Sequence, residues 1–333
     1  MRRLMHAREP PADLPPSPPP SPPPPTPDRP ICPNQSIWSS LDHTALKRLI
    51  SEQIPRFAQR PYLQGDSSSI RAALEEDLDF DGDYCWALSL EPAFVRALCH
   101  EGFLPICSEL GGGTGLFALL PKLHAQRCVL HFSSLHVPRK VRRRAVRHGY
   151  TLTAGDHAFD EVVGGCLRQH GSASWLHPPL RVAFTAMRKQ DREKAASGSA
   201  GGGEGDARLC CFALWSPEGK LVAGEFGVIV GSVYTSFTGF YEVDGAGAIQ
   251  MALTAKLLEK AGFAFWDMGQ EHAYKSTQGA VTMQRRAFLT AFRERRSKGT
   301  TLSKMKTRWE AAELLQPRTK AEAEAPIVDL SSC

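Results

Sequence analysis

The sequence lacks the marks of a membrane protein and of a disulfide-stabilised secreted protein. No run of about 18 apolar residues occurs, and the N-terminus is charged and proline-rich where a secretory signal would be apolar. The nine cysteines are scattered without C-x-x-C spacing, a pattern typical of free thiols in a reducing compartment. We therefore expect an intracellular, cytoplasmic protein without a membrane partner, and import into an organelle is the alternative.

Familiar catalytic and metal-binding motifs are missing as well. The chain contains no H-E-x-x-H, no G-x-S-x-G and no Cys/His cluster at zinc spacing, so we expect neither a metal site nor a serine hydrolase. The glycine run at 111–115 lacks the Lys-Ser/Thr pair of a phosphate-binding P-loop, which favours a turn between two strands. No cofactor is predicted.

Composition divides the 333 residues into segments. Fourteen of the 25 prolines fall within the first 33 residues, so residues 1–35 are predicted to be a disordered, proline-rich head. The chain is 42% hydrophobic, which is enough for a sizeable core in the residues after this head. The predicted segments are an N-terminal domain (36–150), a second domain (151–295) with a flexible Gly/Ser loop (191–206), and a charged tail (296–333).

Positive charge is concentrated in one stretch of a chain whose net charge is +5. Residues 110–155 hold eight Lys and Arg side chains and no Asp or Glu. A helix is predicted to begin near Pro138, with Val137, Val141 and Ala145 on its docking face. This local field indicates a polyanionic partner, usually phosphate, and a solvated helix face is the alternative. The predicted phosphate contacts are Arg139, Lys140, Arg142, Arg143, Arg144 and Arg147.

The second half of the chain shows the clearest architecture. Three successive strands, 209–216, 221–230 and 233–243, are separated by short turns and predict an antiparallel meander. A helix (248–261) and a strand (263–268) come after them, and a helix between strands implies a parallel crossover. We therefore predict an α/β (α+β) protein, in which a small N-terminal domain precedes a GNAT-like acyltransferase domain with a mixed, mostly antiparallel sheet.

Three local patterns complete this outline. Residues 84–90 predict a strand, and residues 91–100 predict a short helix that Gly102 ends. Asp156 is a predicted N-cap for the helix that comes after it.

Two features of the predicted sheet carry candidate chemistry. Gly245 and Gly247 open a helix whose free backbone N–H groups can hold an anion. Asp267 stands late in an otherwise apolar strand, and beside Gln270 its carboxylate can orient an attacking amine or accept a proton from it. Capping of the next turn is the structural alternative for Asp267.

Ordered motifs along the chain resemble those of the leucyl/phenylalanyl-tRNA protein transferases. They are Arg127-Cys128-Val129-Leu130, Ser134-Leu135-His136-Val137-Pro138-Arg139, Asp156-His157-Ala158-Phe159-Asp160-Glu161-Val162-Val163 with Cys166, Ser174-Trp175-Leu176, Leu221-Val222-Ala223-Gly224-Glu225-Phe226-Gly227, Trp266-Asp267, Gly279-Ala280, Arg285-Arg286 and Phe288-Leu289. The resemblance covers roughly residues 84–293. Several motifs that occur in the same order are far more specific evidence than any single motif. The segment 234–240 is more similar to the eukaryotic branch of the family.

The resemblance implies a GNAT-like fold and an aminoacyl transfer reaction. The family moves Leu, Phe or sometimes Met from its aminoacyl-tRNA to the α-amine of a protein that begins with Arg or Lys, which marks that protein for N-degron degradation. The aminoacyl ester is already activated, and a peptide α-ammonium with a pKa of about 8 loses its proton without a strong base. Positioning and oxyanion stabilisation then carry most of the catalysis.

The resemblance also assigns residues. Trp175 matches the tryptophan near the aminoacyl-adenosine end, and Asp267 matches the aspartate that helps the incoming amine through a glutamine two positions later. Here Gln270 lies three positions after Asp267, and Phe237 stands where the glutamate that recognises the aminoacyl amino group is expected. A second tryptophan of the family is replaced by Ile106. Substrate binding is therefore assigned to Trp175, Phe237, Phe240, Gly245 and Gly247, and tRNA binding to the basic helix.

Two other functions fit the same residues. An acyl-CoA-dependent N-acyltransferase would use Gly245 and Gly247 to hold a pyrophosphate, and it would bind a coenzyme A thioester. A non-catalytic descendant of the transferases would bind tRNA without turnover, since the expected glutamate is missing and the glutamine is displaced.

Overall fold

The computed structural model describes residues 42–76, 83–111, 113–197 and 207–316. The predicted proline-rich head lies outside the described residues, as do most of the Gly/Ser stretch and the end of the predicted tail. The helices are α1 (His43–Gln53), α2 (Pro55–Ala58), α3 (Ser67–Glu76), α4 (Pro92–His100), α5 (Arg139–Arg147), α6 (Phe159–His170), α7 (Pro178–Ala196), α8 (Ala246–Lys260), α9 (Ala273–Ser276), α10 (Arg285–Arg295) and α11 (Ala311–Leu314). Short 3-10 turns cover Phe132–Ser134, Gly171–Ala173 and Leu302–Lys304.

Ten strands form two sheets in the described residues. They are β1 (Leu104–Leu110), β2 (Leu116–Lys122), β3 (Gln126–Leu130), β4 (Thr151–Gly155), β5 (Arg208–Trp215), β6 (Leu221–Val230), β7 (Val233–Tyr241), β8 (Phe265–Gly269), β9 (Val281–Gln284) and β10 (Arg308–Glu310). β1 and β2 form an antiparallel hairpin, with Leu110 and Leu116 paired at its closed end on either side of the glycine run. The larger sheet has the order β10-β4-β5-β6-β7-β8-β3-β9.

Strand direction in the larger sheet confirms the predicted mixed, mostly antiparallel fold. β5, β6 and β7 are the predicted meander, and α8 then crosses over to β8, which pairs with β7 in parallel. All other neighbouring strands in the sheet, among the residues that the structure describes, are antiparallel. The succession of meander, helix and parallel strand that pointed to an acyltransferase-type sheet is therefore present.

Apolar residues cover both faces of this sheet because its strands alternate between two cores. One face packs against α4, α6, α7 and α10, with Phe226 and Phe265 among its buried residues. The other packs against α5, α8 and α11, with Tyr234 and Trp266 among them. We call these the α7 face and the α8 face. None of the helices in the described part of the chain is long and apolar enough to cross a bilayer.

Three local predictions were wrong. Residues 84–90 form isolated bridges and no regular strand, since their partners lie on different segments, Tyr62 for Trp86 and Leu119 for Ala87. α7 continues to Ala196, so residues 191–196 of the predicted loop are helical. Asp156 does not cap α6, because its carboxylate binds Arg192 instead.

Strands from three predicted segments meet in the larger sheet. β3 comes from the segment 36–150, and it lies between β8 and β9. β10 comes from the predicted tail, and it lies at the sheet edge beside β4 with Trp309 buried. The segment boundaries were predicted from composition, and composition does not show which distant strands pair with one another.

Candidate functional site

The parallel strands β7 and β8 separate in the middle of the larger sheet. They pair from Val233 to Thr235 and from Phe265 to Asp267, and no further. β7 then runs on to Tyr241, and its backbone on that side has no strand partner among the described residues. In open α/β sheets, ligands bind in the crevice outside the carboxyl ends of parallel strands, and β7 and β8 are a parallel pair that parts at its carboxyl ends. We therefore take the split beside Ser236 as the candidate site.

A bulge in β7 shapes this split. The partner of Phe226 is Thr238, whereas that of the next residue, Gly227, is Ser236, so Phe237 is the extra residue. A bulge re-aims the side chains around it. Ser236, the residue before the bulge, points to the α8 face, where it meets Trp266, while the extra residue Phe237 packs on the α7 face.

Asp267 lies in β8 on the α7 face and is completely buried. Arg127, which is also completely buried, donates from Nε to Asp267 Oδ1 and from Nη2 to Oδ2, both at 2.8 Å. Thr235 donates its hydroxyl to Oδ2 at 2.9 Å, and the backbone N–H of Gly269 donates to Oδ1 at 3.0 Å. Both carboxylate oxygens are therefore occupied by the protein itself.

The turn after β8 is held from two sides. Asp267 binds its backbone at Gly269, whose φ of +73° lies in the left-handed region that favours glycine. Lys275, which is buried, donates to the carbonyls of Met268 and Gln270 at 2.5 and 2.6 Å, and burial lowers the pKa of this lysine. The Gln270 side chain is exposed beyond the turn and does not meet the Asp267 carboxylate.

The predicted aromatic residues lie on the α7 face. Trp175 and Phe237 are half-buried, and their rings meet edge to face with centroids 6.3 Å apart. Phe240 is buried against α6, where a Cβ on Gly165 would lie 2.5 Å from its ring. The structure therefore brings Trp175 and Phe237 together, and it places Phe240 in the core.

The predicted glycines lie on the other face of the sheet, at the N-terminus of α8. Gly245 caps the helix in the left-handed region, with φ of +73°. The guanidinium of Arg144, from the basic helix, lies so close that a Cβ on Gly245 would be 2.6 Å from its Nη1. A phosphate at this helix end would meet free backbone N–H groups and one arginine.

The basic helix forms as predicted, as α5, and it docks through Ala145, Val141 and Val137 onto the α8 face. Arg142 is half-buried and donates to the carbonyl of Leu315 at 2.9 Å. Four basic side chains of α5 are exposed and have no ion pair with any described residue. They are Arg139, Lys140, Arg143 and Arg147.

Two functional groups were missed by sequence reasoning. Arg127 was counted among the basic residues of the segment 110–155, although it is the buried partner of Asp267. Glu225 in β6 is a second buried carboxyl group, only 6% exposed, and burial raises its pKa to about 7. A glutamate between Gly224 and Phe226 in an apolar strand was the available signal. The described residues contain no cluster of His, Cys, Asp or Glu that suits a metal ion.

Comparison with known proteins shows which family the residues around this site resemble. Residues 129–293 match the leucyl/phenylalanyl-tRNA protein transferase family. A leucyl/phenylalanyl-tRNA protein transferase of Maridesulfovibrio salexigens is 27% identical over 166 residues, 49% of this chain and 62% of the relative. One from Nitratidesulfovibrio vulgaris is 29% identical over 171 residues, 50% of this chain and 65% of the relative.

The chain thus spans 62% and 65% of the length of these two relatives. Among solved structures, L-PGS from Bacillus licheniformis aligns with a TM-score of 0.34 at 10% identity, covering 52% of this chain and 65% of that one. The family match contains the end of β3, the basic helix, the split between β7 and β8, and the turn that Asp267 holds. Over residues 129–293, the chain is similar to the leucyl/phenylalanyl-tRNA protein transferase family.

Proposed function

We propose that this protein transfers an aminoacyl residue from aminoacyl-tRNA to the α-amine of a protein that begins with Arg or Lys. The observation that carries this proposal is the family match over residues 129–293, which contains both the split sheet and the basic helix. The residues transferred would be Leu, Phe or Met, and the product would enter N-degron degradation. The ester supplies the activation, so the reaction needs only positioning, proton transfer and charge stabilisation.

The tRNA would lie against α5. Its exposed Arg139, Arg143 and Arg147 are free to contact the phosphates of the acceptor stem, while Arg142 is engaged with the protein backbone. Arg144, beside the N-terminus of α8, would take a further phosphate. Contacts of this kind read charge and shape, so different tRNAs would bind alike.

The aminoacyl end would enter the split in the sheet. Trp175 and Phe237 form an aromatic corner, half-exposed, on which an adenine ring can stack. Phe237 carries no charge with which to bind the amino group of the aminoacyl residue. In this chain that amino group is therefore either bound by another residue or not bound by a charge.

Asp267 would act as a positioning residue in this reaction. Its carboxylate is buried and fully occupied, so it does not touch substrate. It holds the turn that carries Gln270, and that exposed side chain is the one free to meet the incoming amine.

A direct assay tests the proposed function. The purified protein is given leucyl-, phenylalanyl- and methionyl-tRNA with a peptide that begins with Arg or Lys, and labelled product is measured. We expect transfer from at least one of them, and none to a matched peptide beginning with Asp. A parallel reaction with a coenzyme A thioester should give no product.

Three results would contradict the proposal in different ways. Product only from the thioester would identify an acyl-CoA N-acyltransferase. Tight binding of tRNA without product would identify a non-catalytic RNA-binding protein. A protein that neither binds tRNA nor forms product would exclude both the transferase and the RNA-binding function.

A further inference from the structure

Glu225 is a buried carboxyl group for which the fold provides too few partners. Its Oε2 accepts the hydroxyl of Ser236 at 2.7 Å, while its Oε1 is buried and meets no hydrogen-bond donor among the described residues. Buried polar atoms are nearly always paired, and one left unpaired needs a reason. Asp267, in the same sheet, has all its carboxylate oxygens bonded.

Ser236 links Glu225 to the split in the sheet. It is the first residue of β7 beyond the pairing with β8, and it is only partly buried. Its Oγ accepts the indole N–H of Trp266 at 2.8 Å while its own proton is directed to Glu225. The hydroxyl is therefore held with a fixed polarity, with its donor end to the carboxylate.

Titratable groups on the sheet, α6 and α9 interact electrostatically with Glu225. Tyr234 and Cys210 belong to the sheet, Cys166 to α6, and Tyr274 and Lys275 to α9. The pKa of Glu225 is raised to about 7 by burial, and the Ser236 hydroxyl, the nearby Gln250 amide and the charge of Lys275 oppose the rise. The Gln250 amide lies near Glu225 but donates to Thr254 at 2.9 Å, so Ser236 makes the one hydrogen bond to the carboxylate with good geometry. A base with a pKa near the working pH is the most effective kind.

We propose that Ser236 and Glu225 form a proton relay that removes the proton from the ammonium group of the acceptor as it enters the split. This inference rests on the proposed function, whose acceptor is a primary amine. In the relay the ammonium proton passes to Ser236 Oγ as the Ser236 proton passes to Glu225 Oε2. Ser236 ends unchanged, and Glu225 holds the proton.

The rest of the reaction balances without another reagent. The neutral amine attacks the ester carbonyl, so that the N–C bond forms and the C–O bond to the ribose breaks. The extra proton on the new amide nitrogen goes to the departing ribose oxygen. Glu225 returns its proton to solvent before the next turnover.

Two substitutions test the relay. Glu225→Gln keeps the size of the side chain and removes the base, and Ser236→Ala removes the link. Each should lower transfer to a peptide amine at pH 7 by about 10²-fold. The double variant should be no slower than either single one, because the two residues act as a unit. Glu218→Gln, in the exposed turn that precedes β6, is the matched control and should stay at the wild-type rate.

A second acceptor separates a proton relay from a structural loss. Hydroxylamine reaches the enzyme unprotonated at neutral pH, so it does not need the relay. With hydroxylamine as acceptor, Glu225→Gln should be less than about 3-fold slower than the wild type, whereas with the peptide amine it should be about 10²-fold slower. The ratio of the two rates in one preparation does not depend on how much of the variant is folded.

The pH profile gives the last readout. Wild-type transfer should show a midpoint near pH 7 that is absent from Glu225→Gln, whose profile reflects only the acceptor amine at about pH 8. Equal deficits with both acceptors, or an unchanged profile, would overturn the relay while leaving the proposed function intact. A wild-type protein that transfers to neither acceptor would overturn the proposed function, and the relay with it.

Discussion

The two buried carboxyl groups of the central sheet, Asp267 and Glu225, differ in what surrounds them. Asp267 faces the α7 side and receives two bonds from Arg127, one from Thr235 and one from a backbone N–H. Glu225 faces the α8 side and receives one bond, from Ser236. Both oxygens of Asp267 therefore have hydrogen-bond donors, whereas Oε1 of Glu225 is buried with none among the described residues.

This difference teaches that an acid in an apolar strand does not by itself mark a catalytic group. Both residues stand in runs of apolar sequence, and both are buried. Partners decide between them: Asp267 is held by an arginine in a buried ion pair, whereas Glu225 is bonded to a hydroxyl that can pass a proton to it. We therefore attribute a positioning function to Asp267 and proton transfer to Glu225.

The largest effect on stability should come from Asp267→Asn. The substitution leaves the buried guanidinium of Arg127 without its counter-charge, which typically costs about 3–5 kcal/mol of unfolding free energy. Chemical denaturation measures it. Asp160→Asn is the control, because Asp160 also binds an arginine but is 83% exposed, and the loss there should stay below about 1 kcal/mol. Equal small losses in both variants would show that the buried pair does not hold the sheet together.

The second prediction concerns the pH dependence of stability at Glu225. Its pKa is about 7 in the folded protein against a model-compound value of 4.5, so folding favours the protonated form. The contribution of Glu225 is therefore fully present below pH 4.5 and is lost as the pH rises through 7, by about 3 kcal/mol in total. The glutamine of Glu225→Gln does not titrate. The difference in unfolding free energy between this variant and the wild type should therefore change by about 3 kcal/mol between pH 4.5 and pH 8. A constant difference from pH 4.5 to pH 8 would contradict the prediction.

The third prediction concerns the loss of one hydrogen bond to the Asp267 carboxylate. Thr235→Val removes one of four bonds to that carboxylate and leaves the arginine in place, so we expect a loss of about 1.5–3 kcal/mol. Urea unfolding provides the measurement. The same substitution at Thr282, exposed on β9, controls for the strand preference of valine and should change stability little. A loss at Thr235 no greater than at Thr282 would mean that its hydroxyl adds nothing to the buried pair.

The smallest effect on stability should come from substitution of the exposed arginines of α5, which have no ion pair with described residues of the protein. Replacing Arg139, Arg143 and Arg147 by Ala should change the unfolding free energy by less than about 0.5 kcal/mol for each exposed residue. The slope of log affinity for tRNA against log salt should nevertheless fall by about 2–3, since each duplex phosphate contact contributes about 0.9.

The matched control for this slope is Arg142→Ala on the same helix. Arg142 binds the carbonyl of Leu315, so its loss should lower stability and leave the salt slope nearly unchanged. If the triple variant keeps the wild-type slope, the exposed side chains of α5 are a solvated face and bind no phosphate.

Local pattern was enough to predict the regular part of the fold. The meander appears with strand ends within two residues of those expected, because alternation and turn residues are encoded within each hairpin. The basic helix and α8 were likewise visible, since both carry an apolar stripe at helical spacing.

The site was only partly predictable, because its contacts join distant parts of the chain. Asp267 was singled out as unusual, but its partner Arg127 lies 140 positions away and was counted only among the basic residues of the segment 110–155. Glu225 and Ser236 meet through a strand register that contains a bulge. No periodicity reveals a bulge, so the side chains that it re-aims cannot be assigned from sequence.

The most direct test of this account is a carboxyl titration. In a sample labelled with ¹³C at the glutamate carboxyl groups, NMR tracks each signal with pH, and the Glu225 signal is the one absent from Glu225→Gln. We predict a midpoint near pH 7 for that signal, well above the ordinary value of 4.5. A midpoint for Glu225 between pH 4 and pH 5 would contradict the claim that this carboxyl group is held ready to exchange a proton at neutral pH.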